Sequence, residues 1–448
     1  MAGQKSVIVV GAGVAGLAAA IRLAEAGVSV SIVEARERIG GRVYTVRARG
    51  SSVPIEYGAE FIHGKPRETW ELLEQNRVKT SEVEGDAWCI SPKGLAPCDF
   101  FSDADRILEK MDDSSVDESF QSFLKRCFPN PSKDPRQEEA KRRAARYVSG
   151  FNAADPALVG VHWLVQEMRA EEKIEGDRAF RAENGYADLL NIFSREIATR
   201  GVDLHLNTVV EVIEWKNASV EVKARSEQGI ANFSASAVLI TVPLGVLKAT
   251  PEEHGAIRFR PPLPPEKLQA MDKLEMGKVI RVVLQFRERF WEKIRPANRT
   301  LADMSFLFSD DELIPTWWTA YPESHPIITG WAPFSAAERL SGHDISFVRQ
   351  KAVETLARLL SFDRDALDNL LVDAYCHDWQ SDPFSRGAYS YGKVRCDGAQ
   401  QALGAPINDT LFFAGEATDV TGNNGTVHGA IASGERAAKE ILQSRVAR

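Results

Sequence analysis

The sequence predicts an α/β protein with a first domain built on a parallel sheet and interrupted along the chain. A second, mixed sheet-and-helix domain carries a helical insertion. Three observations predict this. An apolar strand, a glycine turn and a helix open the chain from Val7. Short β-type runs return after residue 203 and again at Leu411. Between them, residues 100 to 180 are polar with apolar side chains three and four apart, such as Ile107 and Met111, then Phe120, Phe123 and Leu124, the spacing of helices.

In the opening unit, the strand Val7-Ile8-Val9-Val10 runs into Gly11-Ala12-Gly13-Val14-Ala15-Gly16, then a helix from Leu17 to Ala26 stopped by Gly27, then a strand from Val28 to Val33. In the G-x-G-x-x-G turn, Gly11 permits the tight turn and Gly13 lets backbone approach a pyrophosphate. Gly16 allows close packing of helix on strand. The N–H groups of Val14 and Ala15 would then face phosphates at the helix start. Glu34 closes the second strand, where ribose hydroxyls need an acceptor, and an acid there disfavours a 2′-phosphate. NAD and FAD both remain after this step. The continuation Glu34-Ala35-Arg36-Glu-Arg-Ile-Gly-Gly41-Arg42-Val selects FAD, because it places a second glycine pair and Arg42 where a diphosphate needs a cation. The first domain is thus expected to be Rossmann-like.

Further along, β-type runs are expected at 204–210, 219–222 and 237–241. Arg260-Pro-Pro-Leu-Pro-Pro265 is a stiff link at which the chain should change domain. A strand at 279–286, an aromatic segment from Trp317 to Trp331 and a helix around 347–360 suggest the second domain. A strand at 411–414 and a helix with the stripe Val427, Ala430, Ile431, Gly434, Ala437, Ala438, Ile441 bring the chain back to the first. The expected division is 1–85, 181–260 and 390–448 for the first domain, and 86–180 and 261–389 for the second.

The 448 residues, 44% hydrophobic and 26% charged, read as globular, and no run approaches the roughly 18 apolar residues of a membrane span. The strand beginning so near Met1 leaves no room for a secretory signal, so a soluble, cytoplasmic protein is expected. A net charge of −8 disfavours nucleic acid. Five cysteines at irregular spacing, with no CxxC, suggest reduced, metal-free thiols, and the histidines share no metal-ligand spacing. Oligomeric state is not legible.

Five ordered motifs accompany the two already given: Tyr57-Gly58-Ala59-Glu60-Phe61-Ile62-His63-Gly64, Thr241-Val-Pro-Leu-Gly-Val-Leu247, Trp379-x-x-Asp382-Pro383, Phe413-Ala-Gly415-Glu416-Ala-Thr418 and Gly425-Thr426-Val427-His428-Gly-Ala430. Together they resemble the flavin-containing amine oxidase family of monoamine oxidases, polyamine oxidases and flavin-dependent lysine demethylases. The resemblance implies that Gly58, Ala59, Glu60, Phe61 and Ile62 run past the flavin ring. It also implies that Val210 meets the adenine and that Glu416, after Gly415, binds the sugar-phosphate. Thr426 and the Val427 N–H should lie at the flavin pyrimidine, where a helix start stabilises the charge of reduced flavin.

On the substrate side the resemblance puts Tyr389 and Trp379 at an aromatic cage, with Thr426 where monoamine oxidases have a second tyrosine. His63 resembles a histidine beside the substrate amine in animal polyamine oxidases. Ala388 stands where monoamine oxidases link FAD through cysteine, so the cofactor should be non-covalent. Arg281 stands where the family has a lysine holding water, and arginine is not its equivalent. It should either reach the pocket, to orient water or bind a carboxylate, or face solvent from its strand. His428 and Tyr186 are expected to be structural. The implied activity is oxidation of a primary or secondary amine, bulky or polyamine-like, by hydride transfer to flavin, giving an imine and then an aldehyde, with O2 as acceptor. The alternatives are an amino-acid oxidase or desaturase of the same fold, and a non-enzymatic flavin-binding protein.

Overall fold

Apolar strands flanked by helices on one side and hairpins on the other organise the core around the opening unit. The computed structural model describes residues 6–91, 94–128 and 134–444. Its central sheet is parallel in the order Asp203–His205, Ser29–Val33, Ser6–Val10, Ala237–Ile240, Leu411–Phe413. The run Val7 to Val10 is buried on both faces, which is why it carries no alternation of polar residues. One face takes the helices Val14–Glu25, Ala187–Thr199 and Val427–Gln443. The other packs on the antiparallel strands Val209–Lys216, Ser219–Ser226 and Gly229–Ala235.

The first and last helices lie against each other with almost no separation. A Cβ at Gly434 would stand 2.2 Å from the carbonyl oxygen of Ala15. The small stripe of the last helix thus serves a close approach that larger side chains forbid.

A second sheet has seven strands in the order Leu371–Cys376, Val279–Phe286, Ile327–Pro333, Thr316–Thr319, Met304–Phe308, Asp86–Ser91, Gly94–Pro97. Its pairs are antiparallel except for Met304–Phe308 with Asp86–Ser91. The strand Val279–Phe286 is buried at all eight positions. The helix Ile345–Leu359 covers this sheet, and Asp344 caps it by accepting from Phe347 N. Among the described residues, the polar block folds as four helices, Phe100–Leu108, Phe120–Cys127, Pro135–Gly150 and Val161–Glu172.

Two expectations need correction. The run 204–210 is not one strand: Asn207, at φ 49°, breaks it into Asp203–His205 of the parallel sheet and Val209–Lys216 of the antiparallel one. The cysteines are not all free, because Cys89 and Cys98 form a disulfide. Strands Asp86–Ser91 and Gly94–Pro97 pair as a hairpin, which brings the two cysteines to a Cα separation of 5.6 Å. Hairpin register, rather than a CxxC spacing, makes the bond. Cys127, Cys376 and Cys396 remain free thiols. Among the described residues no helix is long and apolar enough to cross a membrane.

Candidate active site

The glycine turn sits between strand Ser6–Val10 and helix Val14–Glu25. Gly11 holds φ 105°, and a Cβ on Gly16 would lie 2.1 Å from Gly11 O, so neither position admits a side chain. Gly13 faces open space and is the N-cap of the helix without a side-chain cap, which leaves the N–H groups of Val14 and Ala15 without a capping side chain. Glu34 Oε2 accepts from Ala12 N at 2.7 Å and its Oε1 from Arg36 N at 2.9 Å, which fixes the carboxylate at the turn beside Ala35.

The Arg36 guanidinium donates to Asp382 at 2.8 Å and to Ser385, and its other terminal nitrogen lies 3.9 Å from Glu34 Oε1. Arg42 donates to Ala388 O and, at 2.9 Å, to Glu416 Oε1. Glu416 Oε2 in turn accepts from Ser390 Oγ and from Gly425 N. Arg42 and Glu416 therefore staple the second glycine turn, which ends at Arg42, to the segments that precede and follow the last strand. A Cβ on Gly41 would come within 3.3 Å of Gly13, and one on Gly415, at φ 124°, would meet only Thr241 O at 3.8 Å, so these turns leave a groove walled by backbone between Gly13 and Gly41. A bare glycine cradle, an uncapped helix start and an arginine beside it fit a dinucleotide diphosphate. Val210, in the strand Val209–Lys216, is buried and paired with Ala224.

The segment from Gly58 to His63 leads out of this groove. A Cβ at Gly58 would collide with Arg42 O, and Ala59 N donates to the same carbonyl. Ile62 is buried under the helices, and Phe61 projects into a set of rings. Its centroid lies 6.1 Å from His63, 5.6 Å from Trp318 and 6.1 Å from Phe306. Phe306 meets Phe101, which meets Phe151 at 5.4 Å. Tyr389 closes the circuit by donating its hydroxyl to Phe151 O, with its ring against the Gly425 turn.

His63 is exposed, yet enough protein stands around its ring for desolvation to lower its pKa. Burial first, and the charge of His63 second, lower His428 to about 3. His428 Nε2 is bonded to Asn423 Oδ1, and Tyr186 donates from its hydroxyl to Phe61 O, so both brace the chamber wall. Thr426 is the N-cap of the last helix: its hydroxyl accepts from Gly429 N and donates to Asn423 O. Val427 starts that helix, with the Gly425 turn beside Tyr389. Trp379 is buried and donates to Tyr57 O at 2.9 Å, with its ring 3.3 Å from where a Cβ on Gly58 would lie.

Arg281 does not face solvent. It is 5% exposed, donates to Gly58 O at 2.8 Å, and pairs with Glu60. Glu60 also takes Arg181 at 2.6 Å and the Trp318 indole N–H at 2.9 Å. Burial alone would raise the Glu60 carboxyl, but Arg281 and Arg181 together hold it below the usual range. A separate cleft, lined by Glu56, Arg181, Ile327 and Thr329, reaches the same ion pair, and neither His63 nor Tyr389 lines it. The sequence did not single out Phe101, Phe151, Phe306 and Trp318 as chamber residues. The aromatic segment from Trp317 was the only available signal.

The chain matches the model of the flavin containing amine oxidoreductases over residues 14–94 and 92–442. It is 28% identical to polyamine oxidase 2 of Arabidopsis thaliana, across 97% of this chain and 87% of that protein. It is 27% identical to human lysine-specific histone demethylase 2, across 98% of this chain but only 53% of that protein. The chain likewise spans 30% of lysine-specific histone demethylase 1 homolog 3 of Arabidopsis thaliana, at 27% identity. Among solved structures, a putrescine oxidase bound to putrescine superposes with a TM-score of 0.79 at 22% identity, covering 98% of this chain and 99% of that one. Cyclohexylamine oxidase from Brevibacterium oxydans IH-35A gives 0.76 at 21%, with 98% and 99% covered. The motifs, the glycine cradle and the family match converge: this chain belongs to the flavin-containing amine oxidoreductases, and its cofactor is FAD.

Proposed function

We propose that this protein oxidises a primary or secondary amine, bulky or polyamine-like, in the chamber between His63 and Tyr389. The observation that carries the reading is the run of rings, Phe61, Trp318, Phe306, Phe101 and Phe151, that leads from His63, at the end of the Gly58–Ile62 segment, to Tyr389. The polyamine oxidases among its relatives and the putrescine-bound neighbour are consistent with it.

The turn Gly11–Gly16 would hold the diphosphate, Glu34 the ribose, and Arg42 the negative charge. FAD supplies a two-electron acceptor for hydride. The protein's part is to bind and orient. Aromatic walls exclude water and favour the neutral amine, whose lone pair assists hydride loss from the adjacent carbon. His63, with its pKa lowered by desolvation, stays uncharged at neutral pH and would accept a hydrogen bond from the amine, whose ammonium proton is given up to solvent on entry. The imine that results takes up water to give an aldehyde and ammonia, or a shorter amine where the substrate is secondary, with O2 the final acceptor, reduced to H2O2.

Two observations bear on the alternatives. Arg281 is committed to Glu60 and Gly58 O, which weakens the case for a substrate carboxylate and hence for an amino-acid oxidase. Ala388 stands in the position of the flavin-linking cysteine, and burial pushes the free thiols of Cys376 and Cys396 up to about 12, which supports non-covalent FAD. The test is anaerobic titration of the yellow protein with diamines, aryl-alkyl amines and amino acids. Bleaching by amines alone is expected. Bleaching by amino acids alone, or by nothing, overturns the reading.

A further inference from the structure

A thin partition of rings on guanidiniums separates the chamber from the cleft behind it. On the chamber side stand Phe61 and Trp318. Behind them, Arg181 lies 4.7 Å from the Phe61 centroid and Arg281 lies 5.4 Å from that of Trp318. Both arginines line the cleft, whereas neither ring does, and Glu60 ties the two arginines to each other and to the Trp318 indole. Arg281 also donates to Gly58 O, so the floor of the cleft rests on the segment that leads out of the glycine groove.

Above this floor the walls are largely apolar. Strand Pro54–Glu56 supplies Pro54 and Ile55, and the seven-stranded sheet supplies Val283 and Ile327. Ser81 and Ala320, both half-buried, and the exposed Glu183 and Glu323 mark the mouth. The charges of the floor are spent on one another. Besides its bond to Glu60, Arg181 donates to Thr319 O and Tyr321 O, and the buried Glu56 accepts from Tyr186 N and the Thr45 hydroxyl. A floor so paired offers no unmatched charge to recruit an ion. Among the described residues, the one buried side-chain polar atom of the lining without a partner is Arg281 Nε. A passage with apolar walls and a single free N–H at its end suits a small neutral molecule that can accept one hydrogen bond.

We propose that this cleft is a second door to the cofactor, through which O2 enters and H2O2 leaves while the chamber still holds the product of the amine. The inference rests on the amine-oxidising reading and gives its oxygen step a path of its own. Conversion of amine to imine releases two electrons and two protons. O2 takes up both and departs as H2O2. The two reagents differ in character, one arriving as a cation and the other as an apolar gas, and the partition of Arg181, Arg281 and Glu60 keeps their routes apart.

The test has a structural and a kinetic arm. Crystals of the FAD-loaded protein pressurised with xenon, which settles in apolar spaces, should show the gas against Ile55, Val283 and Ile327. Ala320→Trp, and separately Ser81→Phe, place bulk at the mouth, away from the rings and the ion pair. Each is photoreduced under argon, so that no amine is needed, and then mixed with O2. With full flavin content, both should reoxidise about tenfold more slowly than the unaltered protein, while anaerobic bleaching by an amine stays within about twofold. A cleft empty of xenon overturns the proposal, as does reoxidation of both variants at the unaltered rate. So does bleaching that slows in step with reoxidation, which would make the cleft the path of the amine. Slowed reoxidation in a protein that no amine bleaches would keep the door and discard the amine-oxidising reading. Bleaching by amines with reoxidation unchanged in both variants would do the reverse.

Discussion

Glu60 accepts from two arginines and an indole at once, with Arg281 and Arg181 on its two oxygens and Trp318 sharing one of them. Removing one member of a buried ion pair strands its partners, at a cost of about 3–5 kcal/mol. Glu60→Gln should therefore lower stability by about 3 kcal/mol in urea titration and loosen Trp318, read as a shift in tryptophan emission. A change below about 0.5 kcal/mol would mean the arginines find water instead. His63 gives a second prediction at this scale. Its pKa is lowered, so it is neutral at pH 7 and charges only as pH falls below its ordinary value. The acid limb of kcat/KM should report that protonation, because a positive ring repels an ammonium, and His63→Asn should flatten the limb while leaving the alkaline side in place. An unchanged acid limb would remove His63 from the proton's path.

At the scale of elements, the glycine turn and the last helix depend on atoms approaching closer than a side chain permits. A methyl at Gly16 would overlap Gly11 O, so Gly16→Ala should purify colourless while keeping its far-ultraviolet dichroism. Retention of full flavin content would show that the turn can shift. Such elements were legible in the sequence because their signals are local. The run Val7 to Val10, the turn Gly11 to Gly16 and the stripe from Val427 to Ile441 each lie within a few turns of chain. Asn207 was misread because a single left-handed residue breaks a run whose composition stays β-like. The contacts that make the site are of another kind. Arg42 meets Glu416 and Arg36 meets Asp382 across more than three hundred residues, and Phe61 meets Phe306 and Trp318 only once two sheets are packed. Nothing in the local pattern distinguishes such rings from core.

For the molecule as a whole, buried acids set the response to pH. Burial raises Glu56 to about 7, only partly offset by hydrogen bonds from Tyr186 N and Thr45, and Glu171 rises to a similar value. Their folded pKa values exceed the unfolded value near 4.5, so the native state holds more protons in this window. Stability should fall as pH rises from about 5 to about 7 and then level off, and Glu171→Gln should reduce the slope in urea midpoints. A flat profile would contradict this. The Cys89–Cys98 hairpin contributes separately: Cys98→Ser should lower stability by about 2 kcal/mol under oxidising conditions and make the protein indifferent to reductant.

The contact of Gly434 with Ala15 also orders events during synthesis. The phosphate-facing helix is made about four hundred residues before the surface it leans on, Val427–Gln443. A nascent chain on the ribosome should accordingly remain unable to retain FAD until Val427–Gln443 has cleared the exit tunnel. Until then the Gly11–Gly16 half-site is an unfinished interface in need of shelter.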